Sequence, residues 1–247
     1  MLTIIKNRME QGCRTSRYPK TPITLNNRYR GMPKIHKNCP AALMKKCADL
    51  CPQEAIDAEN ALLDLGRCVF CGQCETLSKG DCIQFTQNFE LGVARKEHLL
   101  TNGNLPRLAD NAKKHFKKLF GRSLQLRQVS AAGCNACEAD TNVLNTPFFD
   151  LARFGIQFVA SPRHADGIHV TGPISKNMHA ALMATYEAVP APKVVIASGS
   201  CAISGGPFRG SPEVVGDLNS LIPVDLYIPG CPPHPLTTLH ALLNYFK

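Results

Sequence analysis

Three cysteines spaced C-x2-C-x2-C, at Cys68, Cys71 and Cys74, restrict this chain more than any other feature. In that run a remote cysteine followed by proline supplies a fourth thiolate, and the four together hold a cubane 4Fe–4S cluster. Cys51, followed by Pro52, is that remote cysteine, so one cluster site is complete. The chain carries 12 cysteines in 247 residues, a high count for a reducing compartment, where disulfides rarely persist. Thiols there serve as metal ligands, redox catalysts or inert core residues, and these spacings favour ligands.

The other half of the same region departs from the regular two-cluster pattern. Cysteines expected at positions 41 and 44 are replaced by Ala41 and Met44, and the position after Cys74 and three further residues is Ser78. What remains is Cys39, Cys47 and the displaced Cys82, with C-x7-C-x3-C-P running from Cys39 to Pro52. That spacing resembles ferredoxins with one 3Fe–4S and one 4Fe–4S cluster. Cys39, Cys47 and Cys82 are then either the three ligands of the smaller cluster or free thiols of a decayed site. Cys13 has no partner in any scheme.

The organisation suggests four stretches. Residues 1–32 read as an extended basic arm, with Pro19 and Pro22 interrupting any helix. Residues 33–90 hold a weak internal duplication, typical of small ferredoxin-like α+β modules. Residues 91–122 read as a connector, with Leu105, Leu108, Ala112, Phe116 and Leu119 at helical spacing. From 123 to 247 short strand candidates alternate with helices, which argues an α/β domain with a mainly parallel sheet. The strand candidates are 124–130, 156–161, 168–172, 193–199 and 224–230. Ser175 is placed to cap a helix to Ala188, with Met178, Leu182 and Tyr186 on one face, and Pro235 to open a last helix through Phe246.

Four cysteines of this second domain follow strands: Cys134 and Cys137 after the first, Cys201 after KVVIASG, and Cys231 after VDLYIPG. Loops after parallel strands gather at one sheet edge, where ligands bind, so the four thiols are expected to converge. Gly133, Gly199, Gly205, Gly206 and Gly230 let the backbone approach a cofactor closely. Four thiolates suit a 4Fe–4S cluster. A four-cysteine zinc site fits the same count, and Cys134 with Cys137 could be a redox dithiol, although that leaves Cys201 and Cys231 unexplained.

Composition excludes other classes. No stretch approaches the roughly 18–20 apolar residues of a membrane helix, and the start lacks the apolar core of a secretory signal, so a cytoplasmic location is expected. The net charge of +9 suits nucleic acid, but aromatics are 6%, tryptophan is absent and no nucleic-acid motif accompanies it. Contact with an acidic partner or an anionic membrane surface fits the charge better.

GCNACEAD, DLARFGIQFVASPRHAD, VTGPISKNM, GSCAISGG and VDLYIPGCPPHP together resemble one subunit family. It is the cluster subunit shared by membrane-bound nickel–iron hydrogenases of the formate-hydrogenlyase type and respiratory complex I, whose version is a 20 kDa subunit. The resemblance covers nearly all of residues 123–247 and implies a flavodoxin-like fold. It also implies that Cys134, Cys137, Cys201 and Cys231 hold the 4Fe–4S cluster nearest a larger partner's active site. That partner is a hydrogenase large subunit or a complex I 49 kDa-like protein, associated with membrane-arm subunits on the inner face of the membrane. Complex I typically has two adjacent cysteines at the first motif; here Asn135 and Ala136 separate the pair, as in hydrogenases. RYRGMP and LDLGRCVFCGQC are similar to the small ferredoxin-type subunit of the same assemblies, joined here in one chain. The implied role is electron relay within an oxidoreductase complex, without a catalytic site of its own. Glu138 is read as a surface carboxylate opening a helix or as a proton-passing group, and His164 and His234 as ordinary hydrogen-bonding or partner-facing residues.

Overall fold

The computed structural model describes residues 2–104 and 123–246; the amphipathic stretch expected from Leu105 to Leu119 lies outside them. The first element corrects the expectation of an extended arm, because Leu2–Gln11 is a helix, α1. The prolines that were to interrupt a helix lie beyond its end. Further on the arm packs against the second domain. Ser16 donates its N–H to the Phe148 carbonyl at 2.8 Å, and the Arg153 guanidinium donates to the Ser16 and Tyr18 carbonyls. Tyr18 is buried.

The first domain contains β1 (Pro33–Ile35), α2 (Ala41–Leu50), β2 (Ile56–Asp57), β3 (Leu62–Asp64), α3 (Gln73–Ser78) and β4 (Ile83–Phe85). The duplication seen in the sequence becomes two strand–helix–strand halves. β1 pairs antiparallel with β4, β2 pairs antiparallel with β3, and α2 packs on α3. The stretch read as a connector contributes to the fold. β5 (Leu100–Thr101) adds to β3, and Val93 bridges to Tyr227 through reciprocal backbone bonds of 3.0 and 2.8 Å.

The second domain begins with β6 (Leu124–Ser130), followed by α4 (Ala136–Val143), β7 (Ile156–Phe158), β8 (Gly167–Thr171) and β9 (Ile174–Ser175). Then come α5 (Lys176–Ala188), β10 (Val194–Ser198), α6 (Ser200–Ser204), β11 (Val214–Gly216), β12 (Leu226–Ile228) and α7 (Pro235–Phe246). Five strands form a wholly parallel sheet in the order β12-β10-β8-β6-β7. Numbered within this domain, that is the 2-1-3-4-5 order of the flavodoxin-like fold. β8, β10 and β12 are buried at every position, as parallel strands covered on both faces must be. Helix α5 begins as the sequence implied, with the Ser175 hydroxyl accepting the Met178 N–H at 3.2 Å.

Alternate residues of each strand point to different cores. Leu124, Leu126, Val194, Ile196, Leu226 and Ile228 join Leu239 and Leu242 of α7 on one face. Val129, Ile168, Val170, Val195, Ala197 and Tyr227 lie on the other. That second core is continuous with the first domain, since Leu63, Leu65, Ile83, Val93 and Leu99 belong to it. The two domains therefore share one hydrophobic core. Ile203 of α6 lies at the seam, where a Cβ placed on Gly66 would come within 2.7 Å of its Cγ2. Two ion pairs flank the seam, Lys96–Asp217 at 2.6 Å and Arg209–Glu54 at 2.7 Å.

In the irregular half of the first domain two of the three candidate ligands lie side by side. Cys39 and Cys82 are neighbours, with Cα atoms 4.7 Å apart. Cys47 is fully buried in the shared core together with Met44, and its thiol faces the Cys74 carbonyl at 3.7 Å. Ser78, in the place of a missing cysteine, is also buried and donates to that carbonyl at 2.8 Å.

Candidate functional site: two cysteine quartets

The first quartet is closed over a short piece of chain. Cys51 follows the end of α2, Cys68 and Cys71 sit in the loop after β3, and Cys74 lies in the first turn of α3. The four line one cavity with Pro52, Ala55, Ile56, Leu63 and Phe85. Backbone N–H groups point at two of the sulphurs, Ala55 to Cys51 Sγ and Phe70 to Cys68 Sγ, both at 3.4 Å. Burial pushes the Cys68 thiol strongly up and the Cys74 thiol up to about 12, with the neighbouring cysteines adding to both. Thiols so placed keep their protons unless a cation takes them over.

The second quartet is assembled by the sheet. β6 delivers Cys134 and Cys137, β10 delivers Cys201, and β12 delivers Cys231, all at the carboxyl ends of parallel strands. They line one cavity of about 90 Å³ with Gly133, Gly172 and Gly230. Glycine is required at two positions around it. A Cβ on Gly199, whose φ is +89°, would lie 2.8 Å from Cys137 Sγ. One on Gly206, φ +51°, would lie 2.8 Å from Cys201 Sγ. Burial pushes the Cys137 and Cys201 thiols up to about 12 and raises Cys231 less far. Cys134 and Cys231 are exposed at the mouth, whereas Cys137 and Cys201 lie deeper.

Both quartets fit a 4Fe–4S cluster by donor chemistry, and the sheet-edge set is bordered by positions where a methyl group would meet a sulphur. Zinc draws four sulphurs to about 2.3 Å around one ion. Among the described residues no three such side chains are drawn together that tightly in either quartet, so the four sulphur donors alone suit both zinc and a cluster. The redox-dithiol alternative leaves two of the four convergent thiols without a purpose.

Glu138 corrects its sequence reading. It opens α4 as expected but is only 8% exposed, and its Oε1 accepts from Ser130 at 2.7 Å and Thr171 at 2.6 Å. Burial works to raise its pKa, but those hydrogen bonds outweigh it and the carboxyl sits below its ordinary value. His164 is exposed, while His234 accepts the Leu236 N–H at 3.1 Å and stacks edge-on against Tyr29. His169, which sequence reasoning missed, is fully buried in β8, and neither ring nitrogen has a hydrogen-bond partner among the described residues. Burial pushes its pKa down to about 4. A polar residue in the apolar run IHVT was the available signal.

A flavodoxin-like sheet whose strand ends deliver four cysteines, carrying a second cysteine quartet on its flank, defines a cysteine-rich redox subunit. Comparison with known proteins then places the chain: it belongs to the family of the 20 kDa subunit of NADH ubiquinone oxidoreductase, whose pattern matches residues 134–245. It is 41% identical over 126 residues to the probable membrane-bound hydrogenase subunit mbhJ of Pyrococcus furiosus, covering 51% of this chain and 75% of that one. It is 41% identical over 124 residues to formate hydrogenlyase subunit 7 of Escherichia coli, covering 50% of this chain and 49% of that one. It is 46% identical over 143 residues to an NADH-quinone oxidoreductase subunit of Carboxydothermus hydrogenoformans, covering 52% and 86%. The family is one of oxidoreductase subunits, as the motifs implied.

Proposed function

We propose that this chain is the electron-relay subunit of a membrane-associated, nickel–iron hydrogenase-like complex of the formate-hydrogenlyase kind. Cys134, Cys137, Cys201 and Cys231 hold one 4Fe–4S cluster, and Cys51, Cys68, Cys71 and Cys74 hold a second. When bound, such clusters supply one-electron redox chemistry at potentials set by burial and hydrogen bonding. The chain's own groups do the rest. Eight thiolates anchor the clusters, the N–H groups of Ala55 and Phe70 stabilise charge on two sulphurs, and the shared core backs the first quartet at Cys51, Cys68 and Cys74. No cluster is assigned to Cys39, Cys47 and Cys82.

The observation that carries this reading is the gathering of two complete cysteine quartets on one continuous hydrophobic core. Chemistry on hydrogen would belong to a large catalytic partner seated over the exposed Cys134 and Cys231. No helix among the described residues is long and apolar enough to cross a membrane; in this reading attachment runs through membrane-arm partners. The two residues between Cys134 and Cys137 favour the hydrogenase branch. The 46% identity to a quinone oxidoreductase subunit supports the second reading, a quinone-reducing complex with a 49 kDa-like partner.

Anaerobic reconstitution of the full chain, with iron and sulphide analysis and electron paramagnetic resonance, tests the cluster assignment. Two reducible 4Fe–4S signals are expected, and a colourless, iron-free product would overturn it. Nickel in the co-purified large subunit separates the branches, its absence favouring the quinone reading.

A further inference from the structure

The helix Ser200–Ser204 joins the surroundings of the two quartets by hydrogen bonds. Three of its residues, at i, i+3 and i+4, face the first domain. Ile203 packs against Gly66, the Ser204 hydroxyl lies 2.9 Å from the Gly66 carbonyl, and the Ser200 hydroxyl lies 2.7 Å from the Cys68 carbonyl. The first two fasten the domains but touch no cysteine. Ser200 is different. It is 1% exposed and precedes Cys201 directly in the chain. Its hydroxyl is also 3.1 Å from the carbonyl of Gly230, the residue before Cys231. One hydroxyl thus stands next to a cysteine of the first quartet and within one peptide of two cysteines of the second. It has one proton for two acceptors. The shorter contact takes it, and the Gly230 carbonyl is served by the Ser200 N–H at 2.9 Å.

We infer that the Ser200 hydroxyl is the link through which an electron crosses between the two quartets, a reading that rests on the cluster assignment above. Electronic coupling decays more slowly along covalent and hydrogen bonds than across a van der Waals gap. The route from Cys68 through its carbonyl, the Ser200 hydroxyl and the peptide to Cys201 contains a single non-covalent step. The transfer oxidises one site and reduces the other by one electron; no bond breaks and no proton leaves the chain. A low-potential one-electron donor, arriving from outside, refills the first site.

The test uses the full chain, anaerobically reconstituted and rapidly reduced by a photochemical one-electron donor, with the rate of equilibration between the sites as the readout. Ser200→Ala is expected to slow that step several-fold while iron content and the dipolar splitting between reduced sites, which reports their separation and mutual orientation, stay as in the parent. Ser204→Ala removes a fastening contact one turn along and is expected to leave the rate unchanged. Ser200→Thr, which keeps a hydroxyl, restores it. A parent-like rate in Ser200→Ala, or equal slowing in Ser204→Ala, would overturn the inference. Should Ser200→Ala lose iron, Ser200→Gly deletes the same hydroxyl; loss of iron from both makes Ser200 an assembly residue and also overturns the link. A parent chain that binds no iron refutes the cluster assignment instead, so the two failures are distinct.

Discussion

The quartet in the first domain and the quartet at the sheet edge hold the same ligand type by opposite routes. Cys51, Cys68, Cys71 and Cys74 are drawn together by local turns, and only Cys71 is exposed. Cys134, Cys137, Cys201 and Cys231 come from three strand ends, and two of them face outward. A site made from nearby residues is specified by spacing and is enclosed by its own loops. A site made from distant strands inherits its position from the sheet, opens at the sheet's edge, and needs glycines where the loops crowd the sulphurs. The contrast suggests a division of work, an inner store beside an outer contact.

If the routes are independent, each site can be removed without the other. Cys201→Ser is expected to abolish the sheet-edge site and reduce bound iron by about half, four of eight atoms, while the first-domain signal persists. Iron analysis with paramagnetic resonance checks this, and loss of both signals would show that the sites assemble only together. The shared core predicts where independence ends. Ile203 is buried at the seam, and Ile203→Ala is expected to cost about 2–5 kcal/mol, seen as one lowered thermal transition for the whole chain. Two separate transitions would mean that the domains do not depend on one another.

Acid should distinguish the regions as well. His169 lies under the sheet-edge site with its pKa lowered to about 4, first by burial, with Glu138 opposing. A histidine whose folded pKa lies below its ordinary 6.5 stabilises the fold above that value, because the unfolded chain takes up the proton more readily. That stability is lost as pH falls from about 6.5 towards 4, by roughly 3 kcal/mol at most. Denaturant titrations across this range, repeated on His169→Phe, check the sign. A variant with the same acid dependence as the parent would put the sensitivity elsewhere.

The strand-helix alternation of residues 123–247 was readable because buried parallel strands are short β-branched runs, as in Val194–Ser198, and because Ser175 and Pro235 mark helix starts by their own chemistry. The sheet-edge quartet followed from topology, since strand ends in a parallel sheet point one way. The first quartet followed from spacing alone. Other features were hidden because they depend on what lies across space. Helix α1 precedes the prolines that suggested an arm. Val93 and β5 gain structure only from partners distant in sequence. Nothing in the order of residues shows that Met44 and Cys47 are packed into the shared core. Ser200 carries no signal of its own in the sequence, and its contact with the Cys68 carbonyl exists only in the fold.

The smallest expected effect concerns charge at the seam. Arg209 meets Glu54 at 2.7 Å and also reaches the Gln53 carbonyl at 3.4 Å, directly beside the Cys51–Pro52 turn. A short contact at that place invites the view that it locks the first quartet to the sheet. The Glu54 side chain, however, is 78% exposed, and pairs in contact with water gain little because solvent screens them and ordering two long side chains costs entropy. Arg209→Ala should therefore lower stability by less than about 1 kcal/mol, with iron content unchanged and the difference shrinking further at high salt. A loss comparable to that of Ile203→Ala would make the ion pair, rather than the buried core, the joint between the two regions.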